Sequence, residues 1–256
     1  MSFDNVSPIE IIEDKKNFLY IWIDILGFRE GLKEDKAEIY ERLFYIRKEF
    51  INLFSNDELQ YVEIISISDG LLLIWDLNSL DLSKIIFIFE KLGRLQVNFI
   101  LKEGYVLRGG IAVGGVSNNL LNNEKIKDVF LISNGFLKAY SLESKEVNWP
   151  IIATEENEVE KIKEILRIDN NEEKFGLEKV NGYKNMYLYM VDFLKFLKED
   201  ERKDFEIFLD RRLSLYYDEQ KKNIFDKYFW LLNYYKIKFN GFLLPHFSKY
   251  YDGVLI

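Results

Sequence analysis

The amino-acid sequence predicts an α+β fold, a β-sheet covered by helices and followed by a helical C-terminal elaboration. Two observations predict it. Segment patterns follow one another in the order strand, helix, hairpin, helix, strand, strand, helix, strand, which suits helices laid over a sheet. The chain of 256 residues is 48% apolar and 30% charged, a balance that supports a packed core. Its three prolines leave few forced breaks in regular structure.

Residues Phe18 to Phe28 read as a strand rich in Tyr, Ile, Trp and Leu, apolar on both faces and ended by Gly27. Asp35 to Phe54 reads as a helix, because Ile39, Leu43, Ile46, Phe50 and Leu53 step by four and three into one apolar stripe. Asp35 can cap it, with Glu38 three residues on. Gln60 to Ser68 and Leu71 to Leu77 read as a hairpin turned at Asp69-Gly70. A second helix, Leu82 to Lys102, carries Ile85, Phe89, Leu92 and Phe99 on one side and stops before Gly104. Val106 to Val116 is a Gly-rich strand, Ser117 to Asp128 a polar Asn-rich loop, and Val129 to Ile132 a short strand. Gly135 to Lys145 reads as a short helix and Ile151 to Thr154 as a strand opened by Pro150. The charged stretch Glu155 to Tyr183 is expected as a helix and a loop inserted at the surface, followed by a strand from Asn185 to Phe193. Glu199 to Lys238 reads as a long aromatic helical segment broken near Asp218. With no internal repeat and no flexible linker, residues 1–195 are expected as the principal domain and 196–256 as the helical elaboration packed on it.

Composition excludes several function classes. There is no Cys, which rules out disulfides and thiolate metal sites and points to a reducing, cytoplasmic setting. The lone His246 argues against a Ser-His-Asp triad or a multi-His zinc site. A net charge of −8 disfavours duplex DNA as a partner. Met1 to Lys16 lacks the basic-then-apolar order of a secretory signal, and no stretch reaches the roughly 20 apolar residues that a bilayer requires.

Two carboxylates stand where carboxylates are costly. Asp24 lies within Tyr20-Ile21-Trp22-Ile23-Asp24-Ile25-Leu26-Gly27-Phe28, and Asp69 follows Ile64-Ile65-Ser66-Ile67-Ser68. An ionised group in apolar surroundings costs several kcal/mol unless it is paired, hydrogen-bonded or bound to metal. If the first strand lies beside the hairpin, both carboxylates can meet at one sheet edge, and Mg²⁺ commonly takes one or two carboxylates plus substrate phosphates. The alternative is a plain turn at Asp69-Gly70 and an Asp24 that accepts from neighbouring backbone N–H groups. Backbone N–H groups around Gly27 and Phe28 can hold phosphate, or Gly27 can simply end the strand. In the run Arg108-Gly109-Gly110-Ile111-Ala112-Val113-Gly114-Gly115-Val116 the glycines mark close backbone approach, and Arg108 can reach a phosphate oxygen or extend outward from a tight strand. No Gly-Lys-Ser/Thr follows, so the run is not a P-loop.

Four segments together resemble the class III adenylate/guanylate cyclases. Ile23-Asp24-Ile25-Leu26-Gly27-Phe28 is similar to their first strand, Ser68-Asp69-Gly70 to the hairpin carrying the second metal Asp, and Arg108-Gly109-Gly110-Ile111-Ala112-Val113-Gly114 to their Arg-x-Gly-Ile strand. Ala139-Tyr140-Ser141-Leu142-Glu143 resembles the helix that follows, and the four keep order and spacing over about Phe18 to Thr154. The resemblance implies a cyclase-like, ferredoxin-like palm sheet and a homodimer with sites built across the interface. It implies Mg²⁺ or Mn²⁺ held by Asp24, Asp69 and the backbone of Ile25, and a nucleoside triphosphate held by Ile25, Gly27, Phe28 and Arg108. The implied reaction is attack of the ribose 3′-hydroxyl on the α-phosphate, with pyrophosphate leaving.

The sequence departs from the family in four places. The transition-state Asn aligns with Leu137 and the Arg with Ser141; the purine-reading Lys aligns with Ile65, and the second base reader near Phe130. Divergent bacterial cyclases of antiphage signalling, including the pyrimidine cyclases, resemble this pattern of retained metal carboxylates and varied base readers. The losses also admit a catalytically inactive nucleotide-binding protein on the same fold.

Overall fold

The computed structural model describes residues 17–26, 36–54, 62–67, 70–123, 126–168, 175–181, 187–218 and 221–239. The first strand is β1, Phe18–Ile25, and a helix, α1, spans Lys36–Leu53. The hairpin is β2, Val62–Ile67, and β3, Gly70–Asp76. The second helix, α2, spans Leu82–Glu103; the Asp81 carboxylate accepts from the Lys84 N–H at its start, and Gly104 closes it in the left-handed conformation that glycine adopts freely. The Gly-rich strand is β4, Leu107–Gly114. After it come β5, Val116–Asn123, and β6, Ile126–Ser133, then α3, Asn134–Ser141, which runs into a π-helical turn over Leu142–Glu146. The chain continues through β7, Ile152–Glu155, α4, Glu156–Leu166, β8, Leu177–Asn181, and β9, Tyr187–Val191. It ends in α5, Arg202–Asp218, and α6, Lys222–Lys238.

Seven strands form one sheet in the order β2-β3-β1-β4-β7-β9-β8. All neighbours are antiparallel except β4 and β7. β1 is therefore an inner strand, and its alternation explains why it reads as apolar on both faces. Leu19, Ile21, Ile23 and Ile25 join a core with Ile46 and Phe50 of α1, Phe89, Leu92 and Phe99 of α2, and Val159 and Ile162 of α4. Tyr20 and Trp22 point the other way, into a smaller cluster with Leu72, Ile74, Ala112 and Ala139 that α3 covers. A further cluster joins α5 and α6 to Val97 and Ile100 of α2 and to Leu188 and Met190 of β9. α5 is also tied to the end of α2, where the Arg212 Nε–H donates to the Gly104 carbonyl at 2.8 Å.

Two sequence expectations are corrected. The Asn-rich stretch expected as a loop forms most of a hairpin of two eight-residue strands, with Asn118 opposite Leu131 and Leu120 opposite Val129. A two-stranded ladder draws its hydrogen bonds from the backbone, so polar side chains do not prevent it. In the stretch 155–183 the expected helix is present as α4, but its described residues are not a surface insertion. Val159 and Ile162 of α4 are fully buried, and β8 forms the sheet edge beside β9. β8 carries Glu178, Lys179 and Asn181, a composition that reads as loop but suits an edge strand. The break expected near Asp218 is where α5 ends.

Among the described residues no helix is long and apolar enough to cross a membrane.

Candidate functional site

The strand register brings the first candidate residues together. Asp24 lies opposite Gly70 on β3 and opposite Arg108 on β4. Directly opposed residues of antiparallel strands share a face, so Asp24 and Arg108 stand on the α3 side of the sheet. Gly70 is the residue after Asp69 in the chain; Asp69 itself, with Gly27 and Phe28, lies outside the described residues. Ile25 is the last residue of β1 and is buried.

The glycines of this region answer to close approach. A Cβ on Gly70 would fall 2.0 Å from the Trp22 ring, so the glycine makes room for the indole. A Cβ on Gly110 would fall 2.1 Å from the Ala139 carbonyl oxygen, and one on Gly114 would fall 2.4 Å from the Gly135 nitrogen. α3 is thus seated backbone to backbone on β4. The Ser133 hydroxyl caps its start, accepting from the N–H groups of Gly135 and Phe136. Phe136 and Tyr140 of α3 meet the Trp22 ring edge-on, with centroids 5.7 and 5.8 Å away. Beneath them, burial pushes the Tyr20 hydroxyl up to about 12, against the opposite pull of its hydrogen bond with Ser133.

Seating α3 this way delivers Glu143, in the π-helical turn, to the same spot. The Arg108 guanidinium bridges two carboxylates: its Nη2 donates to Asp24 Oδ2 at 3.3 Å, and its Nε lies against Glu143 Oε1 as an ion pair that is not aligned as a hydrogen bond. The Glu143 side chain is 3% exposed and that of Asp24 14%. The sequence did not assign Glu143 a role. The signal available was Arg108 itself, since a cation on an inner strand needs a buried counter-charge.

A second buried acid was also missed. Glu158 of α4, 3% exposed, accepts the Val113 N–H at 2.8 Å and pairs with Lys161 and Lys138. Thr154 donates to the Ile111 carbonyl at 2.8 Å. Backbone pairing of β4 with β7 covers only Gly109–Ile152 and Gly110–Ala153, so these side chains complete the seam. A cavity of about 210 Å³ opens beside it, lined in part by Lys138, Ser141, Glu155 and Glu158.

Chemically, Asp24 offers a hard oxygen of the type that Mg²⁺ or Mn²⁺ takes, at a strand end next to the Ile25 backbone. Among the described residues no group of three or more His, Cys, Asp or Glu could hold a metal ion, so a site here needs donors beyond them. Leu137, at the position of the family's Asn, is 62% exposed on α3. Ser141 and Ile65 are half-buried.

No family model matches the chain, and no curated protein does. Among solved structures, a bacterial light-regulated adenylyl cyclase superposes with a TM-score of 0.51 at 10% identity, over 75% of this chain and 56% of that one. The fold is that of the class III nucleotidyl cyclases. The adenylyl cyclase CyaB from P. aeruginosa is 14% identical over 68% of this chain and 93% of its own, with a TM-score of 0.49. The guanylyl cyclase domain of the RhoGC fusion protein from the aquatic fungus Blastocladiella emersonii is 13% identical over 69% and 95%, with a TM-score of 0.48.

Proposed function

We propose that the chain is a metal-dependent nucleotidyl cyclase that converts a nucleoside triphosphate, of the pyrimidine class, into a 3′,5′-cyclic nucleotide and pyrophosphate in a cytoplasmic antiphage response. The observation that supports this reading is the placement of Asp24: on an inner strand of a cyclase fold, opposite Gly70 of the Asp69-Gly70 hairpin and beside Arg108. In this reading Asp24, Asp69 and the Ile25 carbonyl hold Mg²⁺ or Mn²⁺. The bound metal supplies Lewis acidity toward the attacking hydroxyl and charge neutralisation on the phosphates. The backbone at Ile25, Gly27 and Phe28 holds the triphosphate, and Arg108 lends a donor to a phosphate oxygen. The pyrimidine assignment rests on Ile65, an apolar residue where a purine-reading Lys would stand. A second copy of the chain would cover Leu137, Tyr140 and Ile67, exposed by 62%, 47% and 38% around the site, and complete it.

The test is purified chain with Mn²⁺ and each of the four nucleoside triphosphates, reading pyrophosphate and cyclic product. Turnover that disappears in Asp24→Asn supports the reading; no pyrophosphate from any of the four overturns catalysis. One observation favours a second reading, a nucleotide-binding protein without turnover: Leu137 and Ser141 cannot supply the charged and amide donors that stabilise developing charge. That reading expects calorimetric binding of a triphosphate, lost in Asp24→Ala, with no product.

A further inference from the structure

Arg108 is in contact with both carboxylates of the site, and the two are not equivalent. Glu143 is almost wholly enclosed, whereas Asp24 keeps some access to solvent, with side chains 3% and 14% exposed. A buried carboxylate that loses its cation is left as an uncompensated charge. The more accessible partner can change cations at lower cost. The contact with Asp24, at 3.3 Å, is also long for a charged N–H···O bond. Moreover, Nη2 occupies an oxygen of Asp24 that a divalent cation would use, so the two cations compete for it.

We propose that Arg108 is the resident counter-ion of Asp24, that it yields Asp24 Oδ2 to a divalent cation, and that the buried Glu143 charge retains it throughout. This rests on the reading that Asp24 binds metal. The Arg108–Glu143 pair then sets the affinity for the cation. Because it stays paired with the buried Glu143 carboxylate, the guanidinium swings away without leaving the site, and its vacated Nη2 donors become available to a phosphate oxygen. Arg108 and Glu143 are positioning residues for the metal.

Removing the competitor tightens cation binding. Removing the Glu143 charge leaves Arg108 with Asp24 alone and weakens it. Simple Coulomb effects have the same signs, so the double variant decides. If charges act independently, the change in the double variant is the sum of the two single changes. If Arg108 is a competitor, Glu143 acts through it, so Glu143→Gln has no further effect once Arg108 is gone and the double variant matches Arg108→Gln.

The experiment titrates the full chain with Mn²⁺ alone, counting free Mn²⁺ by electron paramagnetic resonance, for the native protein, Asp24→Asn, Glu143→Gln, Arg108→Gln and the double variant. The expected Kd falls roughly five- to tenfold in Arg108→Gln, the equivalent of one part-buried ion pair, and rises by a similar factor in Glu143→Gln. The double variant is expected near Arg108→Gln. Should Arg108→Gln fail to fold with Glu143 left uncompensated, Arg108→Lys carries the test: it keeps a charge beside Glu143 but lacks the second arm on Asp24, so independent charges predict native affinity and competition predicts a tighter one. A double variant whose change in affinity is the sum of the two single changes overturns the inference and leaves the metal reading standing. Absence of Mn²⁺ binding in every protein, or binding that Asp24→Asn does not weaken, overturns the metal reading and the inference with it.

Discussion

The Asp24 cluster and the polar cluster under α6 are built from similar parts to different ends. Under α6, Asp192 and Glu178 share Lys238, with contacts of 2.5 and 2.9 Å. The Tyr234 hydroxyl lies within hydrogen-bond reach of both, at 2.6 Å from Asp192 and 3.0 Å from Glu178. At the site, Asp24 and Glu143 share Arg108. The tyrosine is the difference. Burial, then the hydrogen bond to Asp192, pushes its hydroxyl far above the usual range, so it stays protonated and remains a fixed donor. Burial works against the Lys238 charge, but Asp192 and Glu178 outweigh it and the ammonium is held up as well. One cluster fastens a helix to β8 and β9. In the other, Arg108 lies between two acids of unequal exposure, Glu143 enclosed and Asp24 partly open.

The sharpest way to break this comparison is at Asp24. Asp24→Asn is expected to lower Mn²⁺-dependent turnover by roughly 100-fold or more, as loss of a metal or charge-stabilising group does, while circular dichroism shows the native fold. Unfolding of Asp24→Asn, or unchanged turnover, would remove the functional half of the contrast.

Gly110→Ala comes next. Its Cβ meets a backbone oxygen, which cannot swing aside, so a loss of about 1–3 kcal/mol in urea unfolding is expected, together with weaker Mn²⁺ binding as Glu143 is displaced. Stability lost with cation binding untouched would separate α3 from the site.

Tyr234→Phe is expected to cost about 1–3 kcal/mol, since two acids lose their fixed neutral donor, and to leave Mn²⁺ affinity unchanged. An effect on the cation would erase the distinction between fastening and exchange.

The smallest effect concerns a third ion pair. Arg94 meets Glu201 through two contacts, 2.6 and 2.9 Å, and these hydrogen bonds hold the Glu201 carboxyl below its ordinary 4.5. A lowered folded value stabilises above the unfolded one and is lost as pH falls through the folded one. Melting scans from pH 6 downward should therefore show the native chain losing, below about 4.5, an increment of about 1 kcal/mol or less that Glu201→Gln never had. Parallel curves would show the pair to be inert.

Much of the site half of the fold was legible in the sequence because its residues are unusual for their places. An aspartate in a run of Ile, Trp and Leu, and glycines in a strand after Arg108, carry their explanation locally: a carboxylate that needs a partner, met here by Arg108, and close approach of backbone. Gly70 was read as turn chemistry, whereas its backbone is not left-handed and the Trp22 ring accounts for it. Glu143 and Glu158 were not legible as buried groups. Each occupies a helical turn where glutamate ordinarily faces water, and only the tertiary partners, Arg108 and the Val113 N–H, make them interior residues. β8 was missed because an edge strand tolerates charge on its open side. Pairing of β5 with β6 needs a partner's backbone and leaves no mark on composition.

The seating of α3 on β4 has one more consequence. Where a helix rests on side chains, those chains cushion small shifts of its axis. Here peptide meets peptide at Gly110 and Gly114, so the axis of α3 has little room to shift against β4, and the depth at which the following turn carries Glu143 is set by two glycines rather than by the side chains around it.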